Sequence, residues 1–153
     1  MNGDTDKPFS YFSESGPPAS KSPSQVPPLV LAYVGDAVYE VYIRGRLAQS
    51  VQGGVHKLHV EATGYVRCDA QADVMHSISG VLTDFERDIA RRGRNAHSGY
   101  VPKNANVADY RYATGFEALI GFLYFSHDFD RLNYILDISF QRIAERNANA
   151  VAK

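Results

Sequence analysis

The distribution of proline divides the chain into two parts. Six of the seven prolines, together with six serines, lie in residues 1–28. A segment of this composition buries too little apolar surface to offset the conformational entropy that ordering would cost. We therefore predict a disordered Ser/Pro-rich tail at residues 1–28 and a folded domain at residues 29–153. Pro27 and Pro28 mark the boundary, because proline is tolerated in the first turn of a helix.

The second part is predicted to be helical. Apolar periodicity predicts five helices, at residues 29–49, 56–79, 84–92, 108–126 and 128–148. Thr83 and Asp128 are predicted to be N-caps of the third and fifth helices. Residues 51–56 resemble a short strand, but the glycine pair Gly53-Gly54 favours a turn. The predicted fold is all-α, a compact helical bundle.

Composition indicates a soluble protein with one core. The chain has 153 residues, of which 44% are hydrophobic and 22% charged, and its net charge of -1 argues neither for nor against nucleic acid. The single cysteine, Cys68, cannot form an intrachain disulfide and is interpreted as a structural thiol. No apolar run approaches the ~18–20 residues that span a bilayer, and no secretory signal pattern is present. We expect a cytoplasmic protein with no membrane association.

An acidic residue interrupts the apolar sequence of the predicted first helix. Asp36 directly follows Gly35, at a cost to helix stability of about 1 kcal/mol relative to alanine. Such a glycine is expected where a neighbouring backbone or a ligand must come close. On a helical wheel, Asp36 lies nearly opposite the face that we predict to be buried, which is formed by Val30, Val34, Ala37, Val38 and Val41.

The predicted fourth helix carries a similar acid. Glu117 points away from the predicted buried face, and Gly121 lies on the same side, which predicts a clear approach to the carboxylate. If the two helices pack together, Asp36 and Glu117 converge on one site that suits Mg²⁺. The alternative is two solvated surface carboxylates, and spacing alone does not decide between them. The predicted buried face consists of Phe116, Leu119, Ile120 and Leu123.

The sequences around these acids resemble a known family. "YVGDAVYE" resembles the signature of the ribonuclease III endonuclease domain, and "GFEALIGFLY" resembles the second acidic motif of that domain. With "RRGRNAHSGYVPKNANV", the chain is more similar still to the short bacterial branch, Mini-ribonuclease III. The resemblance covers residues 29–148. It implies a helical bundle of the ribonuclease III endonuclease-domain type.

The resemblance also implies a function. Members are homodimers that cut double-stranded RNA with Mg²⁺, and this branch matures the ends of precursor large-subunit ribosomal RNA. By motif, Asp36 and Glu117 match catalytic, metal-binding positions. The branch lacks the RNA-binding domain of larger relatives, and only "NANAVAK" follows the last predicted helix here.

Three acids of the larger relatives are replaced in this chain. Ala32 and Leu29 stand where those relatives have glutamates, and Thr114 stands where they have an aspartate. The short branch tolerates such losses. A site with fewer charged ligands is expected to hold its metal more weakly and to depend more on water and RNA phosphate for coordination.

The stretch at residues 87–103 is the basic part of the sequence. A-form RNA is bound mainly through its shape and backbone, so a basic loop can partly replace a missing binding domain. The alternative is a solvated helix end whose cations complement the helix dipole. The residues predicted to bind RNA are Arg91, Arg92, Arg94, Asn95, Lys103, Asn104 and Lys57.

Three functions are compatible with the sequence. The first is a Mg²⁺-dependent endoribonuclease acting on double-stranded RNA. The second is a catalytically silent module of the same fold that binds structured RNA, a reading that the three missing acids support. The third is a helical protein–protein adaptor, which would be indifferent to both RNA and Mg²⁺.

Overall fold

The predicted all-α bundle is confirmed by the structure, a computed structural model that describes residues 21–96 and 99–153. No strand occurs within these residues. Two short 3-10 helices, at Pro23–Gln25 and Ser79–Val81, accompany the α-helices. The α-helices are α1 (Pro28–Ser50), α2 (Val55–Val66), α3 (Cys68–Ile78), α4 (Asp84–Asn95), α5 (Val107–Phe125) and α6 (Phe129–Val151).

The described part of the predicted tail already carries structure. Residues 1–20 of that tail lie outside the described residues. Val26, however, is only 8% exposed and packs with Leu31, Ile89 and Ala118. The described residues just before the predicted boundary at residue 28 are therefore packed against the bundle.

The predicted N-caps are confirmed. The Thr83 hydroxyl accepts a hydrogen bond from the Glu86 backbone N–H at the start of α4. The Asp128 carboxylate accepts from the Arg131 N–H at the start of α6. Among the residues the structure describes, no helix combines the length and apolarity that crossing a membrane requires.

The single helix predicted at residues 56–79 is wrong, because Arg67 separates α2 from α3 in an extended conformation with ψ of 147°. Two carbonyl groups in the last turn of α2 are satisfied by side chains from other helices rather than by a continuing helical backbone. These bonds run from Tyr39 Oη to Tyr65 O (2.9 Å) and from Gln71 Nε2 to Val66 O (3.0 Å).

Helix α5 is the centre of the bundle, with α1, α3 and α4 packed around it. The predicted buried face of α5 is confirmed, since Phe116, Leu119 and Ile120 are completely buried. Phe116 packs edge-on against Tyr39 of α1, with 5.1 Å between ring centroids. This contact joins the two helices that carry the predicted acids.

The buried face predicted for α1 is largely wrong. Of its five residues only Val38 is buried, whereas Val30 is 45% and Val41 58% exposed. The helix instead turns its larger side chains inward, because they bury more apolar area than valine and alanine do. These larger residues are Leu31, Tyr39, Tyr42, Ile43 and Leu47.

Helices α1 and α5 cross with their backbones in contact. A β-carbon at Gly35 would overlap the Glu117 carbonyl oxygen, and one at Gly121 would overlap the Leu31 carbonyl oxygen. The close backbone approach expected at Gly35 is therefore present. Gly121 also serves this crossing, so the prediction that it clears an approach to the Glu117 carboxylate is wrong.

Candidate active site

The structure brings the two predicted acids together. The glycine-mediated crossing of α1 and α5 places Asp36 and Glu117 side by side, and their carboxyl groups share a hydrogen bond. Asp36 is exposed at the mouth of the site, and Glu117 is half-buried. Two residues that are 81 positions apart in sequence (117 − 36) thus form one acidic pair.

The surroundings of this pair favour retention of a proton. Burial and then the charge of Asp36 raise the pKa of Glu117 to about 8. Burial and then the charge of Glu40 raise the pKa of Asp36 as well. Two carboxylates in contact do not both ionise readily without a counter-charge. With a pKa of about 8, Glu117 keeps its proton at neutral pH, and its protonated carboxyl group can donate a hydrogen bond to Asp36.

The pair lies in a cleft of about 230 Å³. The three positions at which larger ribonucleases III carry further acids, Leu29, Ala32 and Thr114, line the same cleft. Their replacement by neutral residues therefore lowers the negative charge of this cleft. The remaining lining residues are Tyr33 and Tyr110.

The donor set fits a hard divalent cation with few protein ligands. Within the described residues, no group of three His, Cys, Asp or Glu side chains is arranged to hold a metal. Mg²⁺ commonly uses one or two carboxylates and keeps several waters, so Asp36 and Glu117 suffice. The nearby Glu40 is occupied, because it accepts a hydrogen bond from Arg44 Nε at 2.9 Å, as expected for this i,i+4 pair.

Gln71 of α3 is a part of the site that the sequence prediction missed. Its side chain is 1% exposed, and its amide donates hydrogen bonds both to Glu117 and to the Val66 carbonyl. A signal for it does exist in the sequence. Gln71 precedes Val74, Met75 and Ile78 at the spacing of one helix face, so a polar side chain stands on an otherwise apolar stripe.

Two of the predicted RNA-binding residues line a cleft next to the break between α2 and α3. Lys103 and Asn104 line a second cleft, of about 400 Å³, together with Arg67 and Cys68 at the α2–α3 break. Burial, followed by the charge of Glu117, raises the pKa of the Cys68 thiol, so this cleft is within electrostatic reach of the acidic pair. Arg67 is a cation at this position that the sequence prediction did not identify.

The arginines of α4 lie elsewhere. Arg91 and Arg94 line a cavity of about 360 Å³ between α3, α4 and α5. Arg91 pairs with Asp88 at 2.5 Å, and the Arg94 guanidinium lies 5.2 Å from the centre of the Tyr112 ring. Neither residue lines the cleft that holds the acids.

The other three predicted RNA-binding residues are exposed and do not line the acidic cleft. Arg92 and Asn95 lie in the last turns of α4, and the Asn95 side chain accepts a hydrogen bond from Arg94 Nε at 3.4 Å. Lys57, in the first turn of α2, donates to the Gln52 carbonyl at 2.9 Å.

Comparisons with known proteins identify the family. The family model described as "Ribonuclease III domain" matches residues 29–128. A Mini-ribonuclease 3 from Thermoanaerobacter is 49% identical over 118 residues, covering 77% of this chain and 83% of that protein. A Mini-ribonuclease 3 from Symbiobacterium thermophilum is 45% identical over 115 residues, covering 75% and 88% of the two chains.

A solved structure has the same fold. A crystal structure of a protein from Fusobacterium nucleatum matches with a TM-score of 0.71 and 26% identity, covering 80% of this chain and 98% of that one. The matched family domain contains both acids and the crossing glycines between them. The chain therefore belongs to the ribonuclease III family of endoribonucleases, within the Mini-ribonuclease 3 branch.

Proposed function

We propose that this endoribonuclease hydrolyses phosphodiester bonds of double-stranded RNA with Mg²⁺ held by Asp36 and Glu117. One observation carries the proposal. Two carboxyl groups from distant parts of the chain meet in an open cleft, at a crossing where Gly35 and Gly121 bring the two helix backbones into contact. Such a pair is costly to the fold unless a cation compensates its charge.

The residues of the chain have definite tasks in this reaction. When bound, Mg²⁺ lowers the pKa of a water molecule and neutralises charge on the scissile phosphate. Asp36 and Glu117 supply two negative charges once the proton of Glu117 leaves. The backbone contact at Gly35 keeps the two carboxyl groups together. Because Leu29, Ala32 and Thr114 are uncharged, RNA phosphate and water must supply the remaining coordination.

We place the RNA backbone across the second cleft, along Lys103 and Asn104. Lys103 and Asn104 present a cation and an amide in this cleft, which suits recognition of phosphate and 2′-OH groups in A-form RNA. Arg67 would add a second cation by exchanging its pairing with Asp69 for a phosphate. The other predicted contacts, at Arg91, Arg92, Arg94, Asn95 and Lys57, would meet the duplex further along its length. Arg91 would exchange its pairing with Asp88 for a phosphate.

We further propose a homodimer formed through the exposed face of α1. Val30, Val41 and Tyr33 (81% exposed) form an apolar surface that has no partner within the described residues. Exposed apolar patches of this kind mark interaction sites. The face adjoins Asp36, so a two-fold axis would bring two acidic clefts together, and each subunit would cut one strand of a duplex.

Precursor large-subunit ribosomal RNA is the substrate we propose, with the cytoplasm as the place of action. The motif "RRGRNAHSGYVPKNANV", which carries the resemblance to the short branch, supports this assignment. The motif supplies Lys103 and Asn104 of the second cleft. Processing of that precursor in extracts lacking the protein, with and without the added chain, tests the assignment.

The central experiment compares the wild-type chain with Asp36→Asn on duplex RNA, in Mg²⁺ and in EDTA. We expect cleavage only for the wild type in Mg²⁺. Glu40→Gln is the matched control, since it removes a neighbouring carboxylate that pairs with Arg44, and it should retain activity. Cleavage by Asp36→Asn at the wild-type rate would contradict the proposal.

A catalytically silent RNA-binding module is the second candidate. The neutral residues Leu29, Ala32 and Thr114 in the acidic cleft favour it. The same experiment separates the candidates, because a silent module would form a stable complex with uncut duplex in either Mg²⁺ or EDTA. A protein–protein adaptor would show no RNA binding in any of these conditions.

A further inference from the structure

We propose that Gln71 is a positioning residue, which holds Glu117 as an oriented carboxylate facing the cation. The inference deepens the proposed function and rests on it. It assigns a role to a buried amide of α3 that neither the acidic motifs nor the basic loop accounts for.

The hydrogen bonds of Gln71 define which way its amide faces. Nε2 donates to the Val66 carbonyl at 3.0 Å, while Oε1 is buried without a partner. The bond between the amide and Glu117 must therefore also come from Nε2. Both amide N–H groups are used, one on a backbone carbonyl and one on the acid.

The reverse orientation of the amide is strongly disfavoured. It would turn Oε1 toward the Val66 carbonyl and toward the Glu117 carboxyl oxygen, and both of these are acceptors. The amide consequently presents a donor to Glu117, and with its second donor held on the Val66 carbonyl it keeps the Glu117 side chain in one orientation.

The unpartnered Oε1 is a cost that supports a functional interpretation. A buried acceptor without a donor costs about 1–3 kcal/mol, and such atoms in native structures require an explanation. An apolar side chain at position 71 would avoid this cost and would fill the same space between α3 and α5. An amide at position 71 is explained if its two N–H donors are needed, one for the Val66 carbonyl and one for Glu117.

Gln71 also couples Glu117 to the proposed RNA surface. The carbonyl that accepts its other hydrogen bond is the last of α2, directly before Arg67. Arg67 and Cys68 line the cleft that contains Lys103 and Asn104. One side chain therefore connects the position of Glu117 with the backbone break that shapes this cleft.

The test compares Gln71→Met with Tyr39→Phe in the full chain. Methionine has a similar length but no donor. Tyr39→Phe is the matched control, because it removes the hydrogen bond to the adjacent carbonyl, Tyr65 O, and leaves the bond to Glu117 intact. The probe is Mn²⁺ without RNA, measured by the electron paramagnetic resonance signal of the free ion. Duplex cleavage in Mg²⁺ then gives kcat and KM.

We expect Gln71→Met to weaken Mn²⁺ binding by at least about ten-fold, the range for residues that orient metal ligands. Its kcat should fall by a larger factor than its KM for RNA rises, because Gln71 contacts Glu117 directly and the RNA cleft only through the Val66 carbonyl. Tyr39→Phe should bind Mn²⁺ within about two-fold of the wild type, even if both variants unfold at lower temperature. Gln71→Leu, a second variant without a donor, replaces Gln71→Met if methionine prevents folding.

Two results would overturn the inference alone, provided that the wild type binds Mn²⁺ and cuts RNA. One is wild-type Mn²⁺ affinity in Gln71→Met. The other is an equal loss of affinity in Tyr39→Phe, which would assign the effect to the α2–α3 junction as a whole. A wild-type chain that neither binds Mn²⁺ nor cuts duplex RNA would instead overturn the proposed function, and this inference with it.

Discussion

Glu117 lies against Asp36 and keeps its proton at neutral pH, because burial and the charge of Asp36 raise the pKa of Glu117 to about 8. A divalent cation between them must displace this proton, because both carboxyl groups have to be ionised to bind it well. Binding of the cation and release of the proton are therefore linked.

The first prediction is that metal affinity rises with pH. The pKa of Glu117 is raised to about 8, so its proton competes with the cation at every pH below that value. From about pH 6 to 8 we expect affinity for Mg²⁺ to rise by up to about ten-fold per pH unit, and to level off above this range. Calorimetric titrations in buffers of different ionisation enthalpy measure both the Mg²⁺ affinity and the number of protons released on binding. A constant affinity without proton release would contradict a protonated Glu117.

A second prediction concerns the missing acids. Thr114 lines the cleft with Asp36 and Glu117, so Thr114→Asp adds a third carboxylate to the site. We expect the Mg²⁺ concentration for half-maximal cleavage to fall by about ten-fold, because affinity rises with the charge of the ligand set. Thr114→Val has nearly the same shape and no charge, and should not lower the requirement. An unchanged Mg²⁺ concentration for half-maximal cleavage in Thr114→Asp would contradict the view that the missing acids weaken metal binding.

The third prediction tests the helix crossing. A β-carbon at Gly35 would overlap the carbonyl oxygen of Glu117. That oxygen belongs to the backbone of α5, so the overlap can be relieved only by moving one helix away from the other. We expect Gly35→Ala to lower the free energy of unfolding by about 3 kcal/mol or more. Gly80 has open space where its β-carbon would lie, so Gly80→Ala should change stability by less than about 1 kcal/mol. Chemical denaturation compares them, and equal stabilities would refute the close crossing.

The fourth prediction addresses the RNA surface. If Lys103 contacts phosphate, Lys103→Ala should weaken duplex binding at low salt and reduce the slope of log affinity against log salt by about one. Lys153→Ala removes the same charge from the exposed last residue and serves as the control. Binding is measured in EDTA to prevent cleavage. Identical salt slopes for the two variants would contradict binding of the RNA backbone in the second cleft.

The fifth prediction concerns the proposed dimer. Val41 is 58% exposed on α1, so Val41→Asp should leave the fold of each subunit intact. An aspartate buried in the interface would raise the dimer dissociation constant by at least about ten-fold. Val60 on α2 has a matched exposure of 57%, and Val60→Asp should remain dimeric. Sedimentation velocity distinguishes these outcomes, and a dimeric Val41→Asp would exclude this face of α1.

Local chemistry made several features readable from the sequence. Helix starts at Thr83 and Asp128 depend on a side chain and a backbone N–H three residues away, so they are visible in a short stretch of sequence. The glycine beside Asp36 likewise indicated that a backbone comes close. The apolar face of α5 was predicted correctly because this helix is surrounded by the bundle, and its largest side chains leave little choice of orientation.

Features that depend on distant partners were decided only by the tertiary structure. The chain leaves the helix at Arg67 because donors from Tyr39 and Gln71 satisfy the end of α2, and Tyr39 lies 26 residues from the carbonyl it contacts. The inward face of α1 was mispredicted because a helical wheel shows only that the valines lie on one face of the helix. Which side is buried depends on what packs there, and α5 takes the face that carries Tyr39.

Local pattern and motif were sufficient to predict a helical domain, its family and the two acids. The tertiary structure decided that Glu117 keeps a proton beside Asp36, that Gln71 faces one of the two acids, and that the valine face of α1 stays exposed. Each of these depends on distances between helices, and such distances arise only when the backbones of α1 and α5 meet at Gly35.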